Sequence, residues 1–279
     1  MVKNPEMGGE KLDLSKPLVM GILNVTPDSF YDGGKYLSEV KVIERIRQIV
    51  EEGAEIIDVG AYSTRPGAAF VDEKEELARL EPAVELIRKY YPDVWVSIDT
   101  FRARVAWEIN KCLGPVIIND ISGGTMDDRM FETVTRLGVP YILMHIQGTP
   151  QTMQKNPVYK DVVKEIRDFF EERIRRLKTM GFDNLILDPG FGFGKTVEHN
   201  YELMNRLEEY LTLGYPLLSG ISRKTMIWKF LGITPAEALN GTTVLNTVSL
   251  LKGAHILRVH DVKEAVETVR IVEKLKEAR

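Results

Sequence analysis

Eight short apolar runs recur along the chain, and no other feature of the sequence limits the possible folds as tightly. They are "LVMGILNV" (18–25), "AEIIDVGA" (54–61), "VWVSIDT" (94–100), "VIINDIS" (116–122), "YILMHI" (141–146), "LILDPGF" (185–191), "PLLSGIS" (216–222) and "ILRVHD" (256–261). Each is brief, rich in Val, Ile and Leu, and apolar without alternation. That is the pattern of a strand covered on both faces. Their starts lie about 34 residues apart on average, enough for one strand, one helix and two connections.

The intervals read as helices. In 161–181, Val162, Ile166, Phe169, Phe170, Ile174 and Leu177 form a helical stripe between Asp161, the expected N-cap, and Gly181, the expected stop. In 38–53, Ile43, Ile46 and Val50 share a face and Gly53 closes the segment. Eight near-equal βα units in 279 residues predict an α/β fold, a single (β/α)8 TIM barrel over 1–279 with extended loops after strands one and two. A doubly wound open sheet is the alternative, but equal units favour closure.

Charge narrows the function. A net charge of −4 and a pI near 5.8 argue against a general nucleic-acid binder, so an anionic ligand needs a local cationic site. Cys112 is the single cysteine, which allows no internal disulfide. Neither a basic-then-apolar leader nor an apolar stretch of about 20 residues is seen. The expectation is a cytoplasmic protein.

In a barrel of this kind the C-terminal strand ends face the active site. Here they carry Asn24, Asp58, Asp99, Asn119 with Asp120, His145, Asp188, Ser222 to Lys224, then Arg258 and His260. Arg65, Arg223, Lys224, Arg258 and His260 offer cationic donors, with Asn24, Thr26 and Thr64 as neutral ones, a set suited to phosphate. Arg223 reads equally as an ordinary ion-pair partner. Asp99, Asn119 and Asp188 form an acidic, amide-rich sector. It suits either a metal or the N–H edge of a flat guanidine-like heterocycle. Asp120 reads as a structural residue, orienting a neighbour or capping a backbone turn, and His145 as either a loop holder or a ligand contact. The loops "TPDSFYDGGKY" and "STRPGAAF" have a turn-rich composition that suits either lids over the mouth or ordinary surface loops.

"DPGFGFGKT" (188–196) imitates a phosphate loop but fails the spacing. The motif G-x-x-x-x-G-K-[ST] requires glycine at position 189, which is proline, and G-x-G-x-x-G requires glycine at 195, which is lysine. Asp188 is then its informative residue, with Phe193 as an apolar wall and Lys195 unassigned.

The motifs "GILNVTPDSFYDGG", "STRPGA", "SIDTFRA", "INDISGG", "HIQGTPQTMQ", "DPGFGFGKT", "SRK" and "RVHDV", in this order, resemble the bacterial dihydropteroate synthase family over about residues 18–262. Those enzymes are pterin-binding TIM barrels of the folate pathway, inhibited by sulfonamides. The resemblance implies a transferase that joins 6-hydroxymethyl-7,8-dihydropterin diphosphate to p-aminobenzoate, releasing pyrophosphate, through a Mg2+-assisted, SN1-like step. It also implies a homodimer. Matched motif by motif, Asp99, Asn119, Asp188 and Lys224 would bind the pterin. Asn24 would help hold Mg2+ and the diphosphate, with Thr64, Arg65, Arg258 and His260 on the phosphates. Pro66, Phe193, Ser222 and Lys224 would border the p-aminobenzoate site, and Asp99, Lys224 and Arg65 would be the catalytic residues. One departure stands out: the family often has "GGESTRPG" where this chain has "GAYSTRPG", placing Ala61 and Tyr62 in the loop.

Two other readings compete. A pterin-binding methyltransferase barrel would share the Asp/Asn sector without needing Arg65, Lys224, Arg258 and His260 together. A non-catalytic pterin binder would tolerate loss of the "TPDSF" and "STRPG" loops, and both are intact.

Overall fold

The computed structural model describes residues 2–25, 35–62, 71–153 and 156–278, with residues 35–38 as backbone only. Its frame is eight parallel strands: β1 (Leu18–Asn24), β2 (Ile56–Gly60), β3 (Trp95–Asp99), β4 (Ile117–Asp120), β5 (Tyr141–Met144), β6 (Leu185–Asp188), β7 (Leu218–Ser219) and β8 (Ile256–Val259). Strands β1 to β6 pair in sequence order, and β8 pairs with both β1 and β7. The last seam is a parallel bridge between Leu187 and Leu217, where the Leu187 N–H donates to the Pro216 carbonyl at 2.8 Å. The sheet thus closes on itself, as eight equal units predict.

Nine α-helices are described: α1 (Lys35–Glu51), α2 (Glu73–Tyr90), α3 (Ala103–Leu113), α4 (Met130–Leu137), α5 (Val162–Thr179), α6 (Val197–Asn205), α7 (Thr225–Leu231), α8 (Leu239–Leu251) and α9 (Val262–Glu277). Asp161 caps α5, its carboxylate accepting from the Lys164 N–H at 2.9 Å. Gly181 follows the helix at φ +81°. In α1 the buried face is Val42, Ile46 and Ile49, so the helix is rotated by about one position from the expected Ile43, Ile46 and Val50, of which Val50 still packs against the same core from a partly buried position. The expected strand 216–222 is regular only at Leu218–Ser219, with Leu217 adding the single bridge to Leu187. Beyond it the chain turns, with the Lys224 N–H bonded to the Ile221 carbonyl at 3.1 Å and Arg223 at φ +54°.

Strand alternation sorts the side chains into two cores. Val19, Leu23, Ile57, Val59, Val96, Ile98, Ile118, Leu143, Leu187, Leu257 and Val259 point outward and pack with the helices. Leu18, Met20, Ile56, Ile117, Ile142, Ile186, Leu218 and Ile256 fill the barrel interior, and Leu12 packs with them. Leu12 follows an antiparallel hairpin of Glu6–Met7 and Glu10–Lys11. Full burial of each such side chain contributes about 1.5–3 kcal/mol, and burial on both faces explains why the strands read as unbroken apolar runs. One layer higher, the inward positions become polar, and the site begins there.

Candidate active site at the barrel mouth

Parallel register sets the polar layer. Asp58 lies opposite Ser97, and Asp99 opposite Asn119 on one side and Gly60 on the other. Gly60 also pairs with Asn24. A Cβ there would stand 3.4 Å from Asn24 Oδ1 and 3.7 Å from Asp99 Cβ. The missing side chain lets Asn24 and Asp99 approach one another across β2.

Asp58 is wholly buried and gathers three donors: Ser97 Oγ at 2.6 Å, Asn119 Nδ2 at 3.1 Å and Arg258 Nε at 2.7 Å. Arg258 also donates to Asp99 Oδ2 at 3.0 Å. Its guanidinium thus bridges two carboxylates on the barrel's inner wall, while Asp58 fixes the Asn119 amide. Burial raises the Asp99 carboxyl to about 7; Arg258 opposes that rise, and Asp58 adds to it.

Asp188 ends β6 and is buried, with Oδ1 accepting from the Gly190 N–H at 2.7 Å. Burial raises its proton affinity, and Lys224 opposes this. Lys224, at the N-terminus of α7, donates to the Phe191 carbonyl and lies 4.5 Å from the centre of the Phe193 ring. Burial lowers Lys224 to about 8, with Asp188 opposing. Phe193 packs against the cluster of Ile121, Met144, Ile146 and Met153, as does Phe101, which gives the mouth one apolar wall.

Ser222 and His260 meet through Oγ and Nδ1 at 3.0 Å. His260 needs a correction as a cationic donor: burial first, then the Arg258 guanidinium, lowers it to about 4. At neutral pH it offers a neutral ring N–H instead. Arg223 is an ion-pair residue, clasping Asp261 at 2.6 and 2.9 Å. Asp120 points outward, and its carboxylate accepts from the Ser122 N–H and Oγ, the Gly124 N–H and Tyr141 Oη, which is the structural role expected. His145 is buried, with Nδ1 3.1 Å from Lys195 Nζ. Thr26, Thr64, Arg65 and Pro66 lie outside the described residues.

Among the described residues no three His, Cys, Asp or Glu side chains gather as a metal cage. Asn24 is exposed at the rim and supplies one neutral oxygen. That donor set fits Mg2+, which takes few protein ligands and completes its shell with water and substrate phosphate. A recess of about 850 Å3 opens at the other end of the barrel, beside Lys3, Glu6, Lys11 and Asp13, away from this polar layer. No described helix is long and apolar enough to cross a membrane.

Known proteins resemble the chain in sequence and in fold. A family model described as pterin binding enzyme matches residues 20–260. The dihydropteroate synthase of Escherichia coli (strain K12) is 48% identical over 267 residues, covering 95% of this chain and 94% of that protein. The chain belongs to the dihydropteroate synthase family. The Haemophilus influenzae synthase is 43% identical over 262 residues, covering 93% of this chain and 94% of that one. A Yersinia pestis synthase solved with a sulfonamide drug superposes with a TM-score of 0.91 at 42% identity, covering 99% of this chain and all of that one. A Xanthomonas albilineans synthase solved with 4-aminobenzoic acid gives 0.89 at 35% identity, covering 99% of each chain. Membership makes the chain a transferase, an enzyme of folate synthesis, on a TIM barrel.

Two residues gain importance only from the geometry. Asp58 is visible in the sequence as one more strand-end acid, yet it is the acceptor around which Ser97, Asn119 and Arg258 are arranged. Lys195 is buried beside Asp188, with carbonyl partners that no sequence motif records.

Proposed function

We propose that the chain condenses 6-hydroxymethyl-7,8-dihydropterin diphosphate with p-aminobenzoate, giving 7,8-dihydropteroate and pyrophosphate. The observation that carries this reading is the meeting of Asp99, Asn119 and Asp188 with Lys224 and Arg258 in one inward-facing layer. Acceptor-rich carboxylates suit the N–H edge of the pterin. Arg258, Lys224, Arg65, Thr64 and a neutral His260 supply donors for the diphosphate. Phe193, Pro66, Ser222 and Lys224 border the arylamine.

The chemistry follows from charge. The methylene C–O bond breaks with its electron pair leaving on the diphosphate, and donors aimed at those oxygens stabilise the departing charge. Mg2+, held by Asn24 together with the diphosphate, would supply further charge neutralisation. The methylene carbon becomes electron-poor and shares its charge with the pterin ring, close to the Asp99 carboxylate. The arylamine nitrogen, neutral at pH 7, forms the new C–N bond and then releases a proton to solvent. Bond breaking ahead of bond making makes the substitution SN1-like, so pyrophosphate release should depend weakly on arylamine basicity.

The same reading includes a homodimer. Phe230, Leu231, Val244 and Leu251, on α7 and α8, are large apolar side chains at least half exposed, and a second copy would cover them. The test of function is to supply both substrates with and without Mg2+ and to follow both products. Stoichiometric pyrophosphate and dihydropteroate, dependent on Mg2+, support the reading, whereas a folded sample without turnover ends it.

A further inference from the structure

Lys195 is the basic residue of "DPGFGFGKT", and the reaction as described leaves it without a task. It is only 3% exposed. Nζ lies 2.8 Å from the Gly190 carbonyl, 3.0 Å from the Phe193 carbonyl and 3.1 Å from His145 Nδ1. These are neutral partners, and three contacts match the capacity of Nζ. Burial draws Lys195 well below the usual ammonium range, with Asp188 opposing and Lys224 adding to the shift. Both carbonyls keep a donor whether Nζ carries three protons or two. A side chain so enclosed and so fully engaged does not reach substrate.

The loop around it is specified bond by bond. The Gly190 N–H donates to Asp188 and the Gly192 N–H to Asn200 Oδ1, each at 2.7 Å. The Phe193 N–H closes a turn onto the Gly190 carbonyl at 3.1 Å, and Tyr159 Oη donates to the Gly194 carbonyl at 2.9 Å. Lys224 takes the Phe191 carbonyl. Two lysines therefore hold the loop, one from within and one from the β7 side. At its far end Lys195 is fixed by α6, where Thr196 is the N-cap, its Oγ accepting from the His199 N–H at 3.1 Å. Lys195 is the strut between that helix start and the turn bearing Phe193.

We propose that Lys195 is a positioning residue for the arylamine end of the site. By holding the Gly190 and Phe193 carbonyls, it keeps the Phe193 ring and the Phe191 carbonyl where Lys224 meets both. The proposal rests on the reading that the arylamine lies beside Phe193 and Lys224.

The experiment is two-substrate steady-state kinetics on Lys195→Met, Phe193→Ala and the double variant. Because small displacements of positioned groups are costly, Lys195→Met should raise KM for p-aminobenzoate roughly tenfold or more, with KM for the pterin diphosphate within about twofold. In the Phe193→Ala background the same change should have an effect of less than about twofold, since the two residues act as a unit. Equal changes in both KM values, no change, or effects that multiply independently would overturn the proposal. Should Lys195→Met not fold, Lys195→Gln keeps two N–H donors for the two carbonyls. Its KM for p-aminobenzoate should lie between wild type and Phe193→Ala; a wild-type pattern in that variant, or loss confined to the pterin, counts against Lys195. A wild type without turnover removes the functional reading. Turnover in wild type with an unselective Lys195→Met removes this proposal alone.

Discussion

Replacing Asp58 by alanine strips the acceptor from Ser97 Oγ, Asn119 Nδ2 and Arg258 Nε together. Asp58 is fully buried, and the Arg258 side chain is 20% exposed, so water screens the pair poorly. Removing one partner of a buried ion pair costs about 3–5 kcal/mol. Two further donors losing their acceptor would each add about 1–3 kcal/mol. Arg258 keeps Asp99 at 3.0 Å, and water can enter the space vacated, which offsets those additions. We therefore expect a net loss of about 3–5 kcal/mol. With an unfolding entropy of about 2.1 cal/mol/K per residue, a chain of 279 residues has about 0.6 kcal/mol/K in total, so the melting midpoint should fall by about 5–9 °C. Differential scanning calorimetry reads this directly. Pterin affinity measured by titration should fall in parallel, because the Asn119 amide loses its anchor. Asp168→Ala, at a surface carboxylate 56% exposed, is the control and should shift the midpoint by less than about 1 °C. A midpoint within about 2 °C of wild type, with pterin affinity unchanged, would refute the reasoning that Asp58 organises the layer.

The pH dependence has a defined sign. Asp99 is raised to about 7 and Lys224 lowered to about 8, both chiefly by burial, so kcat/KM should rise as Asp99 ionises and fall as Lys224 loses its proton. Asp99→Asn should abolish the acidic limb; a limb that persists in that variant belongs to another group. Because the folded value of Asp99 lies above its unfolded one, its contribution to stability is complete below about pH 4 and is lost as pH climbs through about 7. Gly190→Ala should lower the midpoint and weaken pterin binding, since Gly190 sits at φ +69° and a Cβ would come 1.9 Å from the His145 carbonyl oxygen; a wild-type melt contradicts that packing. Phe230→Asp, at a side chain 66% exposed, should shift the proposed dimer toward monomer in light scattering, and an unchanged mass would place the interface elsewhere.

The barrel was legible because burial on both faces leaves a compositional mark: eight unbroken apolar runs, evenly spaced. The acids at the strand ends were legible for a related reason, since polar residues interrupt those runs only where they reach the mouth. What Asp58 does was not legible, because its partners Ser97, Asn119 and Arg258 come from three other strands and meet it only through register and closure. Lys195 was hidden more deeply. Its partners include two backbone carbonyls, which every residue possesses and no motif can mark. His260 shows a third limit: histidine implies a possible cation, but its burial and the neighbouring Arg258, which together decide its charge, are facts of the fold. Tyr62 is where the chain departs from the family's usual loop, and its role became visible only in contact: its ring meets Phe101 edge-on at 5.6 Å and its hydroxyl accepts from Gln151 Nε2 at 3.1 Å.

The central claim is that the polar layer at the barrel mouth binds the pterin through its carboxylates, and Asp188→Asn tests it most directly. Asparagine keeps an oxygen for the Gly190 N–H, so the loop should hold and the melting midpoint should stay close to wild type. What is lost is the charged acceptor for the pterin N–H edge. Exchanging a carboxylate for an amide there should cost about 2–3 kcal/mol of binding, roughly a hundredfold in affinity. Calorimetric titration with the dihydropterin diphosphate should therefore give binding about a hundredfold weaker on an unchanged fold. Equal affinity in wild type and Asp188→Asn would contradict the account.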